Sequence, residues 1–135
     1  MGDPAGIGSE IIVKALEDFL QPWPCRFIVI GDADKLLDAV RLCGGRQKLI
    51  RARAPDEASG QPDTIACFDL GLSLGALPYG QLAADAGECA CVAVAVATAW
   101  AMQHQIAALV TAALKKAAGG KGVIIDLRNN PGGSL

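Results

Sequence analysis

The sequence predicts an α/β fold: three layers, with a mainly parallel sheet and helices on both of its faces. Three observations predict it. Apolar runs of strand length alternate along the chain with longer segments of helical period. The strand-length runs are apolar throughout, as in parallel strands buried on both faces. Glycine or proline marks most of the boundaries between the two kinds of segment.

The first helix is expected over residues 9–20, where Ile11, Ile12, Ala15, Leu16 and Phe19 recur at helical spacing. Gln21, Pro22, Trp23 and Pro24 stop it, because proline lacks the N–H that a helix needs. Residues 26–30 read as a buried parallel strand. Gly31, Asp32, Ala33 and Asp34 then supply a turn and an N-cap for a helix through Leu42, closed by Gly44 and Gly45.

Strands are expected at 48–52 and 64–68, separated by a polar, proline-containing stretch. A glycine-rich connection over 70–82 leads to Asp85 and Glu88, which are spaced as a capping box. The next segment carries two signals. Val92, Val94 and Val96 alternate with alanine at strand period, yet residues 88–105 lack glycine and proline and far exceed strand length. Length decides for helix. Residues 106–110 then read as a strand, 112–118 as a short helix and 122–127 as a final strand. One continuous helix over 105–118 is the alternative.

Composition excludes several classes of function. At 135 residues one domain is expected, spanning 1–135. A net charge of −2 argues against a nucleic-acid partner, which calls for a clustered basic face. The basic stretch 46–53 reads as a solvated strand or loop. The longest apolar run, 89–102, is too short to span a bilayer, and no signal peptide is recognisable, so a soluble cytoplasmic protein is expected. Five cysteines without framework spacing read as free thiols. Cys89 and Cys91 point apart on a helix and cannot share a metal ion, and His104 is the chain's one histidine. No metal is expected.

One turn stands out chemically. Gly2, Asp3, Pro4, Ala5, Gly6, Ile7 and Gly8 form a glycine-rich connection that feeds a helix. Glycine lets the backbone approach a ligand, and helix N-termini offer free N–H groups to anions. Gly6, Gly8 and Ser9 are therefore candidate anion-binding residues. A tight connection with no ligand is the competing reading, since the Walker lysine and the dinucleotide fingerprint spacing are both absent.

Residues 2–10 resemble the first motif of the 4-hydroxythreonine-4-phosphate dehydrogenases (the PdxA family), with Ser9 where that family usually has proline. The likeness continues through residues 11–16 and 27–32, the distinctive run 78–88, and Leu109, Val110, Thr111 and Ala112. It covers about residues 1–116. The resemblance implies a half-domain like that of the isocitrate and isopropylmalate dehydrogenases. It also implies a divalent metal held by histidines from two subunits, NAD, and a phosphorylated hydroxy-amino acid as substrate. The family's histidine ligands, its His-Thr substrate pair and most of its NAD site have no counterpart in this sequence, and the strand that normally precedes Gly2 is missing.

Residues 122–133 resemble a strand-and-turn motif of the tail-specific serine proteases. Ser134 follows the glycine pair Gly132 and Gly133 with no lysine base in view. Together these features lead to the expectation of a recombined or engineered chimera: a dehydrogenase-like part at 1–116 and a protease-derived piece at 117–135. Such a scaffold would have no catalytic function, cofactor or dedicated small-molecule ligand. Its last strand, 123–126, would join the main sheet near the edge left by the missing first strand. Two alternatives stay open. One is a diverged NAD-dependent dehydrogenase subunit with residual phosphate or nucleotide binding at Gly6, Gly8 and Ser9. The other is a self-associating module, with a homodimer as the expected partner arrangement.

Overall fold

Residues 1–17 and 25–110, together with the backbone of 124–126, are described by a computed structural model. Helix α1 (Gly8–Glu17) leads to strand β1 (Val29–Gly31), helix α2 (Ala33–Leu42), and strands β2 (Lys48–Ala52) and β3 (Thr64–Asp69). Helix α3 (Ala84–Met102), β4 (Ala108–Val110) and β5 (Ile124–Asp126) follow, with short 3-10 turns at Pro55–Glu57 and Leu74–Ala76.

The main sheet has the order β1-β3-β2, and both pairings are parallel. Val29 lies opposite Cys67 and Lys48 opposite Thr64. Alternation along the strands then divides the apolar side chains between two faces. Val29, Ile65 and Cys67 pack against Val13 of α1 and Ala33, Leu36, Ala39 and Val40 of α2. Ile30 and Phe68 turn the other way, to Ala93, Ala97 and Trp100 of α3, with Phe68 and Trp100 edge to face at 4.9 Å. Helices cover both faces, so the three-layer α/β architecture is as the sequence predicts.

The first strand lies later than expected. Phe27 pairs with Ser59 in an isolated antiparallel bridge, with N···O distances of 2.7 and 2.9 Å. That bridge draws residues 26–28 out of the parallel ladder, and Gly31 joins it instead. Residues 48–52 form β2 as predicted, and β3 runs one residue past its expected end. Within the basic stretch, Arg51 pairs with Asp34 at 2.7 Å and also with Asp69. Helix α1 is described only through Glu17, so the rest of its expected span lies outside the described residues.

The capping box is corrected. Helix α3 begins at Ala84, its N-cap is Ala83, and no side chain caps it. Asp85 sits inside the first turn, where its charge still favours the helix dipole. The helix is 19 residues long and, by length and composition only, apolar enough to cross a membrane, but Asp85 and Glu88 interrupt its apolar run and Ala93 and Ala97 pack against Ile30 of the main sheet. Its buried stripe is Ala86, Cys89, Ala93, Ala97 and Ala101. Spacings of three and four put these small residues on one face. The valines lie off the fully buried stripe, and of them Val96 packs at its edge against the Ile30, Ala93 and Ala97 cluster.

Helix α3 ends where His104 takes a left-handed φ of 57°. The Gln105 N–H bonds back to Trp100 O at 2.9 Å, closing the terminus. A continuous helix from residue 105 is thereby excluded over 105–110, and β4 occupies its place. The expected helix at 112–118 and the protease-like turn at 127–134 lie outside the described residues.

The expectation that strand 123–126 joins the main sheet fails. Strand β5 pairs antiparallel with β4 in a separate two-stranded sheet, Val110 opposite Ile124 and Ala108 opposite Asp126. Strands adjacent in sequence commonly pair, and antiparallel pairing needs no crossover.

Burial sorts the thiols. Cys67 and Cys89 are enclosed, while Cys25 and Cys91 are exposed. Burial pushes the Cys67 thiol up to about 12, against the opposing pull of the Met1 ammonium and Arg51. An unfolded thiol ionises near 9, so the stability gained by keeping Cys67 neutral is intact below pH 9. It is lost as the pH rises from there toward 12. Urea melts across that range should show falling stability, and Cys67→Ala should flatten the fall. Native-state alkylation should label Cys25 and Cys91 before Cys67 and Cys89.

Candidate functional site

The glycine-rich turn folds on itself before it meets any other element. Gly2 adopts a φ of 80°, which glycine accepts without steric cost. The Asp3 carboxylate accepts from the Ala5 N–H at 2.8 Å, and the Asp3 carbonyl accepts from the Gly6 N–H at 3.0 Å. Pro4 and Ala5 are buried beneath this loop. A Cβ on Gly8 would stand 2.3 Å from the Met1 carbonyl oxygen, so the start of α1 is pressed against the backbone of residue 1.

A second loop holds the turn in place. The Gly80 N–H donates to Ala5 O at 2.7 Å. That loop is in turn tied to the N-terminus of α2. The Asp32 side chain caps α2 by accepting from the Lys35 N–H at 2.8 Å, and its other oxygen accepts from the Leu74 N–H at 2.8 Å. The Lys35 ammonium donates to Leu77 O and lies 4.1 Å from the centre of the Tyr79 ring. Asp32 and Lys35 are each only 1% exposed. Among the described residues no carboxylate forms an ion pair with Lys35.

Two hydroxyls remain enclosed without a hydrogen-bond partner among the described residues, Ser9 Oγ and Tyr79 Oη. Burial raises the Tyr79 phenol above its ordinary value, and the Asp38 and Glu10 charges add to the rise. The Ser9 hydroxyl opposes it from nearby, short of hydrogen-bond geometry. A buried hydroxyl without a partner costs about 1–3 kcal/mol, so this corner is suited to a bound water or ligand oxygen.

Gly6, Gly8 and Ser9 thus come together on one turn, as read from sequence. Gly6 has its N–H committed to Asp3, while Gly8 and Ser9 are buried. Sequence reasoning missed Lys35, Tyr79 and the second role of Asp32. The run 78–88 was a signal for Tyr79 alone, since its Gly80 clamps the turn through Ala5 O; nothing local pointed to Lys35 or to Leu74 as the second partner of Asp32. His104 lies at the end of α3, outside this cluster.

The implied metal and dinucleotide can be tested against these residues. Among the described residues no group of three His, Cys, Asp or Glu side chains could hold a metal ion. The Gly8 approach face is filled by Met1 O, leaving no open glycine cradle there for a pyrophosphate. The described residues alone fit neither group.

The chain is similar to known proteins over most of its length. It is 45% identical over 118 residues to D-threonate 4-phosphate dehydrogenase of Cupriavidus necator, covering 87% of this chain and 35% of that protein. It is 32% identical over 120 residues to 4-hydroxythreonine-4-phosphate dehydrogenase of Trichlorobacter lovleyi, covering 87% and 36%. The crystal structure of a 4-hydroxythreonine-4-phosphate dehydrogenase from Burkholderia phymatum superposes with a TM-score of 0.73 at 41% identity. That superposition covers 78% of this chain and 32% of the other. The chain spans about a third of the length of the relatives it matches.

These findings correct the expectation of a non-catalytic chimeric scaffold. The relatives are dehydrogenases, and the model of the family of pyridoxal phosphate biosynthetic protein PdxA matches residues 24–124, running through the supposed junction at 115–120. A protease-derived tail gains no support from them. A family match across three quarters of the chain, with the fold to accompany it, makes this chain a member of the PdxA family.

Proposed function

We propose that the chain serves as part of a PdxA-type NAD-dependent dehydrogenase whose substrate is a phosphorylated hydroxy acid of the D-threonate 4-phosphate kind. The observation that carries this reading is that the PdxA-family relatives are named for 4-phosphorylated substrates: a D-threonate 4-phosphate dehydrogenase at 45% identity, and 4-hydroxythreonine-4-phosphate dehydrogenases at 41% and 32%. In this reading the Ser9 hydroxyl meets an anionic oxygen, with Lys35 as the nearby positive charge, while Gly6 and Gly8 shape the turn that presents it. The unpartnered Ser9 hydroxyl and the Lys35 ammonium support it. The Asp38 and Glu10 charges that raise the Tyr79 phenol weigh against a dianion lodged at Tyr79 itself.

Amide chemical shifts test the proposal directly. Titrating the isotope-labelled chain with D-threonate 4-phosphate should give saturable shifts at Gly6, Gly8 and Ser9, at lower concentration than 4-hydroxythreonine-4-phosphate requires. Lys35→Met should weaken them, and inorganic phosphate should reproduce part of the pattern. Absence of saturable shifts on this turn with either substrate at millimolar concentration would overturn the assignment.

A further inference from the structure

Ser9 and Lys35, the two side chains read above as meeting an anionic oxygen, are 0% and 1% exposed. A ligand reaches them only if a covering element moves. Tyr79 is on such an element. It stands beside the Ser9 hydroxyl and lays its ring 4.1 Å from the Lys35 ammonium. Its own hydroxyl is enclosed and without a hydrogen-bond partner, as is that of Ser9. On either side of it, the Lys35 ammonium donates to Leu77 O, and the Gly80 N–H donates to Ala5 O at 2.7 Å.

This cover is anchored at one end and lightly held along the rest. Leu74 is buried, and its N–H is fixed to the enclosed Asp32 carboxylate at 2.8 Å. From Gly75 to Gly80 no residue is fully buried. A segment with few buried apolar contacts opens locally at less cost than the whole fold. Ser73 takes a left-handed φ of 53° and Gly80 one of 76°. The first is a conformation that side chains other than glycine rarely adopt, and the second is free to glycine. Two such positions can absorb the dihedral change of a hinge. Opening breaks the Lys35 bond to Leu77 O, the ring contact and the Gly80 bond to Ala5 O, and leaves the Leu74 anchor intact.

We propose that residues 75–80 form a strap, bolted by the Tyr79 ring, that closes Ser9 and Lys35 off from solvent and swings on Leu74 to admit the anionic ligand. The proposal rests on the reading of Ser9 given above and adds the control of its access. Ligand and strap compete for the same cation. With the strap closed, the Lys35 ammonium has a carbonyl and a ring as partners. An anionic oxygen is a stronger acceptor than either, so binding draws the equilibrium toward the open strap.

Amide exchange, lysine acetylation and a titration with inorganic phosphate test the strap on the isotope-labelled chain. In the parent, the Gly80 amide should be protected about tenfold less than the Leu74 amide. Lys35 should be acetylated about tenfold more slowly than the exposed Lys14 and Lys48. Tyr79→Ala should speed Gly80 exchange and Lys35 acetylation together, by about tenfold, while Leu74 stays protected. Tyr79→Phe keeps a ring over Lys35 and should stay within about twofold of the parent. Phosphate should half-saturate the Ser9 amide shift at about tenfold lower concentration in Tyr79→Ala, because apparent affinity scales with the open fraction. Equal protection of Gly80 and Leu74 in the parent, Lys35 acetylated as fast as Lys14, or the same phosphate midpoint in parent and Tyr79→Ala would each overturn the proposal. Faster Gly80 exchange and Lys35 acetylation in Tyr79→Ala, with no phosphate shift in either chain, would support the strap and overturn the anionic-oxygen reading alone.

Discussion

Replacing Asp32 by alanine should remove about 3 kcal/mol of unfolding free energy, from a lost N-cap of about 1 and a lost buried bond to a charged acceptor of about 2. One carboxylate serves both functions. Its first oxygen satisfies the Lys35 N–H at the start of α2, and its second reaches the Leu74 N–H across 42 positions of sequence. At 1% exposure, water cannot replace either partner. The same substitution strips the nearest buried negative charge from the region of the Lys35 ammonium, which adds to the cost. Asp32→Asn separates the two roles. It keeps an acceptor for the cap but turns an amide NH2 toward the Leu74 N–H, so about half the loss should remain. Urea denaturation with an unchanged slope is the measurement. A loss below about 1 kcal/mol would mean that the loop is not tied to α2 through this residue.

The two roles of Asp32 also show what sequence can convey. The cap was legible because its signals are local: Gly31, then Asp32, then a run of helical period. The bond to Leu74 was not, because nothing in a one-dimensional pattern fixes which distant N–H will meet a free carboxylate oxygen. Lys35 makes the point more sharply. At a helical position between Asp34 and Asp38 it reads as a solvated charge, yet the fold encloses it against Leu77 O and the Tyr79 ring. Strands β2 and β3 were legible as short apolar runs, but the order β1-β3-β2 depends on crossovers that leave no residue-level mark. Helix α3 was recognised by length and not by its pattern. It packs through alanine and cysteine, and hydrophobic periodicity is weakest where the buried residues are small. Strand 123–126 does not take the place in the main sheet that its apolar run suggested, because β4 is the partner nearer to it along the chain. For the candidate site, Gly6, Gly8 and Ser9 were adjacent in sequence and so came together, whereas Lys35 and Tyr79 joined them only through tertiary packing.

Gly8→Ala sets two physical effects of opposite sign against each other at the start of α1. Intrinsic propensity favours alanine over glycine within a helix by about 1 kcal/mol. Packing opposes it, because the new Cβ would lie 2.3 Å from the Met1 carbonyl oxygen. That atom is backbone and cannot rotate away. Residue 1 is also held at its nitrogen by Ile30 O, and the turn behind it is held by Gly80 on Ala5 O. Relief therefore requires moving the turn or breaking one of these bonds, and overpacking of this kind costs about 1–3 kcal/mol or more. The clash should win, leaving Gly8→Ala about 2 kcal/mol less stable than the parent. Gly87→Ala is the matched control within α3, since a Cβ there meets nothing within 4 Å. It should gain about 0.5–1 kcal/mol from propensity alone. Thermal and urea melts of the pair should therefore move in opposite directions. Stabilisation by both variants would mean that α1 does not start against residue 1, and the close packing described for the glycine turn would be wrong.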